Sequence, residues 1–217
     1  INGLTYIFAA GIGVANTTEE LAKISYMSNQ NGFDITGFNY QTHNNNIYYA
    51  STVVDNSTTG IELSRAYNTQ SYVFDSDFFD SMQGFSNPDV ITLAPFFTSV
   101  KDAPAKLLYV DNTGNLTVGT ETSEITINAQ LRISNITQAT KVDYENVINS
   151  GDIKLSNFGS TGGDIFVAGI TWILSYVNGP HTMTNVVNDG NIYTYNITSH
   201  TVISSVSGTS YLHEGYV

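Results

Sequence analysis

Side chains alternate with a period of two through most of this chain, nowhere more clearly than at 125–133. There Ile125, Ile127, Ala129, Leu131 and Ile133 fall on one side of an extended backbone, and Thr126, Asn128, Gln130 and Arg132 on the other. Successive side chains of a strand point to opposite faces of a sheet, so the pattern predicts a strand with one buried and one wet face. Segments 46–54, 71–74, 90–97, 105–110, 141–148, 165–177, 191–198 and 201–206 share the β-branched and aromatic content that suits pleated surfaces, so at least nine strands are expected. Helical spacing is confined to two places. At 17–27, Thr17 and Glu20 can form a capping box, with Leu21, Ile24 and Met27 on one face. At 75–83, Asp75 or Ser76 can cap a short run that Gly84 closes.

Turn chemistry in the second half favours antiparallel neighbours. Asp111-Asn112-Thr113-Gly114-Asn115, Asn149-Ser150-Gly151-Asp152 and Asn188-Asp189-Gly190-Asn191 each set a glycine where a tight turn needs it and are each followed by an apolar-alternating stretch, which predicts three hairpins. The same glycines could instead be rungs of a parallel β-helix of the kind that houses polysaccharide lyases. Gly114, Gly151, Gly163 and Gly190 are separated by 37, 12 and 27 residues, however, which is no fixed period. The expected fold is therefore all-β: an antiparallel β-sandwich or jelly-roll-like body over 16–217, one or two short helices, and an extended N-terminal strand over 1–15.

That N-terminal segment has a pattern of its own. No charge appears before Glu19, and Leu4, Tyr6, Phe8, Ala10, Ile12 and Val14 alternate with Gly3, Thr5, Ile7, Ala9, Gly11 and Gly13. One face is mostly large and apolar, the other mostly small. Fully extended, such a segment reaches on the order of 45 Å, well past an ordinary strand. It can be the first strand of the chain's own fold, crossing from one sheet to another. It can also be a donor strand laid into a neighbouring subunit, which gives main-chain hydrogen bonds to sheet edges and alternate side chains to pockets. Repeated head to tail, that contact does not close and builds a homo-oligomeric filament. The apolar run 165–177 is expected as a central core strand.

Composition narrows the function classes. With no cysteine, 7 basic against 19 acidic residues and a net charge of −12, the chain cannot build a disulfide framework, a thiolate metal site or a cationic grip on nucleic acid. Only 12% of residues are charged, whereas 26 Thr, 23 Asn and 21 Ser supply a polar, weakly ionic surface. With most carboxylates protonated at pH 2–3, the charge becomes about +11 from seven Lys and Arg and four His. Folding there rests on apolar burial and neutral hydrogen bonds. The chain opens without an initiator Met or a signal-type segment and has no apolar run long enough to span a membrane, which reads as a mature, exported product at the cell surface.

No nucleophile elbow, zinc-binding His-Glu-x-x-His, phosphate loop or dinucleotide fingerprint occurs, so no enzyme, cofactor or metal is expected. His43, His181, His200 and His213 are scattered without ligand spacing, and Asp75, Asp77 and Asp80, the densest acidic group, fit a capped helix end better than a calcium loop. Asn16, Asn56, Asn115, Asn135 and Asn196 each begin an Asn-x-Thr sequon and are the candidate sites for N-linked glycans.

The apolar arm 1–14, the Thr/Asn/Tyr-rich β body, the sequons and the absence of cysteine together resemble the thread-type surface filaments of thermoacidophilic archaea of the Sulfolobus group. The resemblance lies in composition and layout. It implies an extracellular, N-glycosylated pilus subunit that polymerises by donor-strand complementation and serves adhesion. Two other classes stay open: a monomeric surface-layer or adhesin domain whose first strand pairs in cis, and a carbohydrate-active enzyme on a β scaffold.

Overall fold

The computed structural model describes residues 6–9, 12–15, 22–25, 28–29, 46–49, 52–55, 61–82, 90–94, 97–99, 105–139, 141–159, 163–174 and 181–210. In these the chain winds as a coil of short strands, each turn stacking on the one before. The first turn holds β1 (Tyr6–Ala9), β2 (Ile12–Ala15), β3 (Ala22–Ser25) and β4 (Ser28–Asn29). The second holds β5 (Asn46–Tyr49), β6 (Thr52–Asp55), β7 (Ile61–Asn68), β8 (Tyr72–Phe74) and the helix α1 (Ser76–Met82). The third is β9 (Val90–Leu93), β10 (Phe97–Ser99), β11 (Ala105–Asn112) and β12 (Leu116–Gly119), and the fourth β13 (Gln130–Ser134), β14 (Thr137–Ala139), β15 (Val142–Asn149) and β16 (Ile153–Phe158). The fifth is β17 (Ile165–Ala168), β18 (Thr171–Leu174), β19 (Thr182–Asn188) and β20 (Ile192–Ile197), and β21 (Thr201–Ser204) with β22 (Ser207–Ser210) begins another.

Strands at the same place in successive turns pair, always in parallel. Row one runs β1-β5-β9-β13-β17-β21, row two β2-β6-β10-β14-β18-β22, row three β3-β7-β11-β15-β19, and row four β8-β12-β16-β20. This is a parallel β-solenoid, and it overturns the antiparallel sandwich or jelly roll expected from the turns. The physical reason lies in what those turns connect. The three glycine turns were correctly placed, but each joins a row-three strand to a row-four strand of the same turn of the coil, and the hydrogen bonds of both strands go to the turns above and below. The helix expected over 17–27 is overturned too: strand β3 occupies 22–25 within it and pairs with β7, and the other residues of 17–27 lie outside the described residues. The helix at 75–83 does form, with Asp75 Oδ1 accepting from Phe78 N at 3.1 Å as its N-cap.

Inward-facing residues stack in columns. Leu63, Leu107 and Tyr144 lie in register in row three, Tyr72, Leu116 and Ile153 in row four, and Leu93, Ile133 and Val167 in row one, all nearly or wholly inaccessible to water. They form two apolar clusters. One gathers rows one and four with Ile125, Ile127, Ala129 and Phe79 of α1, whose ring meets Phe158 edge to face at 5.3 Å. The other gathers row three with the corner residues Ile136 and Ile170. Alternation at 125–133 predicts the buried set correctly, except that the outward Arg132 is only 3% exposed.

Between the two clusters runs a polar spine. Asn68, Asn112, Asn149 and Asn188 end the four row-three strands β7, β11, β15 and β19 in register. Each amide Nδ2 donates to Oδ1 of the next asparagine, at 2.6, 2.7 and 2.6 Å. Each also donates to the carbonyl two residues ahead, on Gln70, Gly114, Gly151 and Gly190, at 2.9 to 3.0 Å. From the opposite corner, Asn135 donates across the interior to Asn149 Oδ1 at 3.1 Å and to the Gly151 carbonyl at 2.7 Å. Glycine is required beside the spine because successive turns approach closely: a Cβ on Gly151 would stand 1.9 Å from the Gly114 carbonyl oxygen, and one on Gly190 2.0 Å from that of Gly151.

A second column explains why simple alternation fails in row three. Arg65, Tyr109, Asn146 and Asn185 occupy the same place in successive strands and all have positive φ, 55°, 57°, 54° and 52°. Each keeps one-for-one register with its neighbours yet turns the backbone so that the inward pattern shifts by one residue: Ala105 and Leu107 point in, and then Val110 and Asn112.

Two outcomes follow. Asn149→Ala, which strips partners from Asn112, Asn135, Asn188 and Gly151 at once, is expected to cost about 3 kcal/mol or more, read from the urea midpoint. Replacing Tyr109, which is 54% exposed and whose left-handed backbone costs about 1 kcal/mol, by the asparagine found on the next rung is expected to raise Tm by roughly 2–4 °C in calorimetry.

Candidate assembly surface

A solenoid differs from a barrel in having two ends, each a set of strand edges with no neighbour in the coil. Here the end formed by β19, β20 and β21 carries a clear change in burial. In row one the inward column Leu93, Ile133, Val167 is 0% exposed, yet its next member, Ile203, is 50% exposed. Met183 and Val186 in row three, and Ile192 and Ile197 in row four, continue fully buried columns and are themselves only half-buried. The last described turn thus displays apolar residues at core positions, together with Tyr193, Tyr195, Val187 and Val202.

Row three also loses its charge at this end. Strand β7 carries Glu62 and Arg65, β11 Lys106 and Asp111, and β15 Asp143 and Glu145, with Lys106 and Glu62 paired at 3.2 Å. Strands β19 to β22 carry no charged residue and no proline. Edge strands of soluble proteins are usually blunted by such residues, because an open edge pairs with any strand that reaches it. At the other end, β1 and β2 are equally free of charge.

The residues expected to make the donor strand fall as follows. Tyr6 and Phe8 lie in β1, paired with β5 of row one; Ile12 and Val14 lie in β2, paired with β6 of row two. The arm is therefore two strands separated by a corner, each engaged with its own chain along one edge. Leu4 and Ala10 lie outside the described residues, as do most of the residues between β2 and β5. Of the run 165–177, β17 and β18 are row-one and row-two strands of the fifth turn, and the arm pairs with neither within the chain.

The sequons separate by burial. Asn115 is exposed, with Oδ1 accepting from Asp152 N at 2.8 Å, and Asn196 is exposed, with Nδ2 donating to Asn157 at 2.6 Å. Asn135 is 0% exposed, since its amide belongs to the polar spine. Asn16 and Asn56 lie outside the described residues. Asp75 is the helix cap, while Asp77 and Asp80 are exposed on α1. His200 faces Asp164 at 3.2 Å on the surface, His181 Nδ1 accepts from Val142 N at 3.3 Å, and His43 and His213 lie outside the described residues. Among the described residues, no three or more His, Cys, Asp or Glu come together as a metal site, and no helix is long and apolar enough to cross a membrane.

No family model matches the chain, and neither a curated protein nor a solved structure is similar to it.

The columns themselves do not emerge from strand alternation. Their signal was present: Asn112-Thr-Gly-Asn-Leu, Asn149-Ser-Gly-Asp-Ile and Asn188-Asp-Gly-Asn-Ile repeat one motif at intervals of 37 and 39 residues, the intervals over which the stacked amides bond. Gly163 belongs to a different part of the coil, and counting it among these glycines hid the period.

Burial dictates where sugar can attach to the folded chain. Glycopeptide mass spectrometry of protein from its native source is expected to find glycan on Asn115 and Asn196 and none on Asn135.

Proposed function

We propose that the chain is a structural subunit of an extracellular filament, assembling head to tail from its open ends and presenting a Thr/Asn/Ser-rich, N-glycosylated surface for adhesion. The observation that carries this reading is the last described turn, where Ile203 stands half-exposed in a column of fully buried residues. Removing apolar surface from water gains roughly 25 cal/mol per Å², a steady drive to cover such residues, and nothing charged on β19–β22 opposes it.

A structural role also fits the way the body is held together. Each turn of the coil contacts its neighbours through backbone ladders and stacked side chains, so stiffness along the axis comes with the fold and needs no cofactor. The surface that results is long, polar and weakly ionic, which suits a thread exposed to changing pH and salt.

Electron microscopy of the protein at rising concentration is the direct test. Unbranched threads, together with a sedimentation coefficient that grows with concentration, are expected; a species that stays monomeric up to millimolar concentration would remove this function.

A further inference from the structure

Rows three and four meet at an exposed corner, where Asn115 stands between Ser71 of the turn before and Asp152 of the turn after. Its N donates to Ser71 Oγ at 3.0 Å, its carbonyl accepts from Tyr72 N at 2.8 Å, and its Oδ1 accepts from Asp152 N at 2.8 Å. Asn191 continues the column, its N donating to Asp152 Oδ1 at 2.8 Å. Backbone and side chain of Asn115 are thus both held, and among the described residues its amide Nδ2 alone is left without a partner. Asn196, the other exposed sequon residue, spends its Nδ2 on Asn157.

Resting on the glycosylated surface of the reading above, we infer that Asn115 carries an N-linked glycan whose first sugars lie on Tyr67 and Val73. The amide itself sets the direction. Oxygen and nitrogen of a planar carboxamide point different ways from Cγ, so Oδ1 turned to Asp152 in the fourth turn sends Nδ2 outward and back toward the second. Ser71, the residue it passes there, is small. On either side of Ser71 stand Tyr67 and Val73, 51% and 64% exposed, in register with Asp111 and Thr117 of the third turn. In the fourth turn the same two places hold Ile148 and Lys154. Of the two turns beside Asn115, the second is therefore the one with an apolar side chain at both places. A pyranose has aliphatic C–H faces that suit an aromatic ring and a branched aliphatic side chain, and hydroxyls at its rim for Asp111 and Thr117. Nδ2 attacks the anomeric carbon of a glycosyl phosphate donor to form the C–N bond. The C–O bond to phosphate breaks with its electron pair, and Nδ2 yields one proton to solvent.

Thr117→Val ends the sequon while leaving Asn115 its contact with Asp152, so it removes the sugar and little else. The unaltered chain and this variant, both made in the native source, are compared by glycopeptide mass and by hydroxyl-radical footprinting read at single residues. Oxidation of Tyr67 and Val73 is expected to rise roughly twofold in the variant, as surface covered by sugar returns to water. Tyr195, 64% exposed and two turns away, is expected to stay unchanged. Made in a host without N-glycosylation, the variant and the unaltered chain are expected to give the same footprint, which separates loss of sugar from any direct effect of the substitution. A bare Asn115 in the native protein, or Tyr67 and Val73 oxidised alike with and without sugar, would overturn this inference and leave the filament reading to microscopy. Monomers in the microscope together with the twofold change would remove the filament and uphold the sugar's seat on Tyr67 and Val73.

Discussion

Buried side-chain amides need partners, and along the spine of this protein the partner of each is its counterpart one turn along the coil. Asn112 and Asn149 are at most 1% exposed, and each is held by hydrogen bonds on both sides of its amide. The spacing that allows this is the separation of neighbouring strands in a sheet, about 4.8 Å, which is also the distance over which a planar amide can donate to the next. Registry of the whole stack depends on it. A slip of one residue in any row-three strand would leave a chain of buried donors and acceptors unpaired, at about 1–3 kcal/mol for each group stranded. The glycines two residues on serve the same constraint, because only a residue without a Cβ lets successive turns approach closely enough.

The polar spine also divides the interior. Apolar side chains of rows one and four pack on one side and those of row three on the other, and Asn135 ties the two corners together across the middle. A cross-section of this kind is narrow, so no turn of the coil has a core of its own. Each is stabilised by the turns above and below, which is why a single helix can be accommodated between β8 and β9 at no cost to the stack. That insertion falls in the longest interval of the spine, 44 residues from Asn68 to Asn112.

A fold that propagates by adding equivalent turns has no internal signal to stop. Solenoids need capping repeats with a polar outer face, and among the described residues strands β19 to β22 carry neither charge nor proline. Parallel edges with a common register are the property that holds the body together.

Much of the local structure was legible in the sequence. The strands at 71–74, 105–110 and 141–148, the capped helix at Asp75, the turns at Gly114, Gly151 and Gly190, and the buried set Ile125 to Ile133 follow from alternation, capping and turn chemistry, all of which act over a few residues, whereas the single strand expected at 46–54 is two strands in different rows. Strand direction was not legible in that way. An Asn-x-Gly turn between two strands reads the same whether they pair with each other or each with a strand some 40 residues away, and only the long-range hydrogen bonds distinguish the two cases. Thr17 to Met27 likewise has the spacing of a helix, yet pairing of β3 with the edge of β7 outweighs that preference. Burial of Asn135 beneath a sequon that looks like any other was decided by the tertiary structure as well. The sequence by itself determined a cysteine-free, charge-poor, strand-rich chain with an uncharged N-terminal segment; the tertiary structure decided that its strands stack in parallel, because buried amides of successive turns can satisfy one another only at that spacing and in that direction.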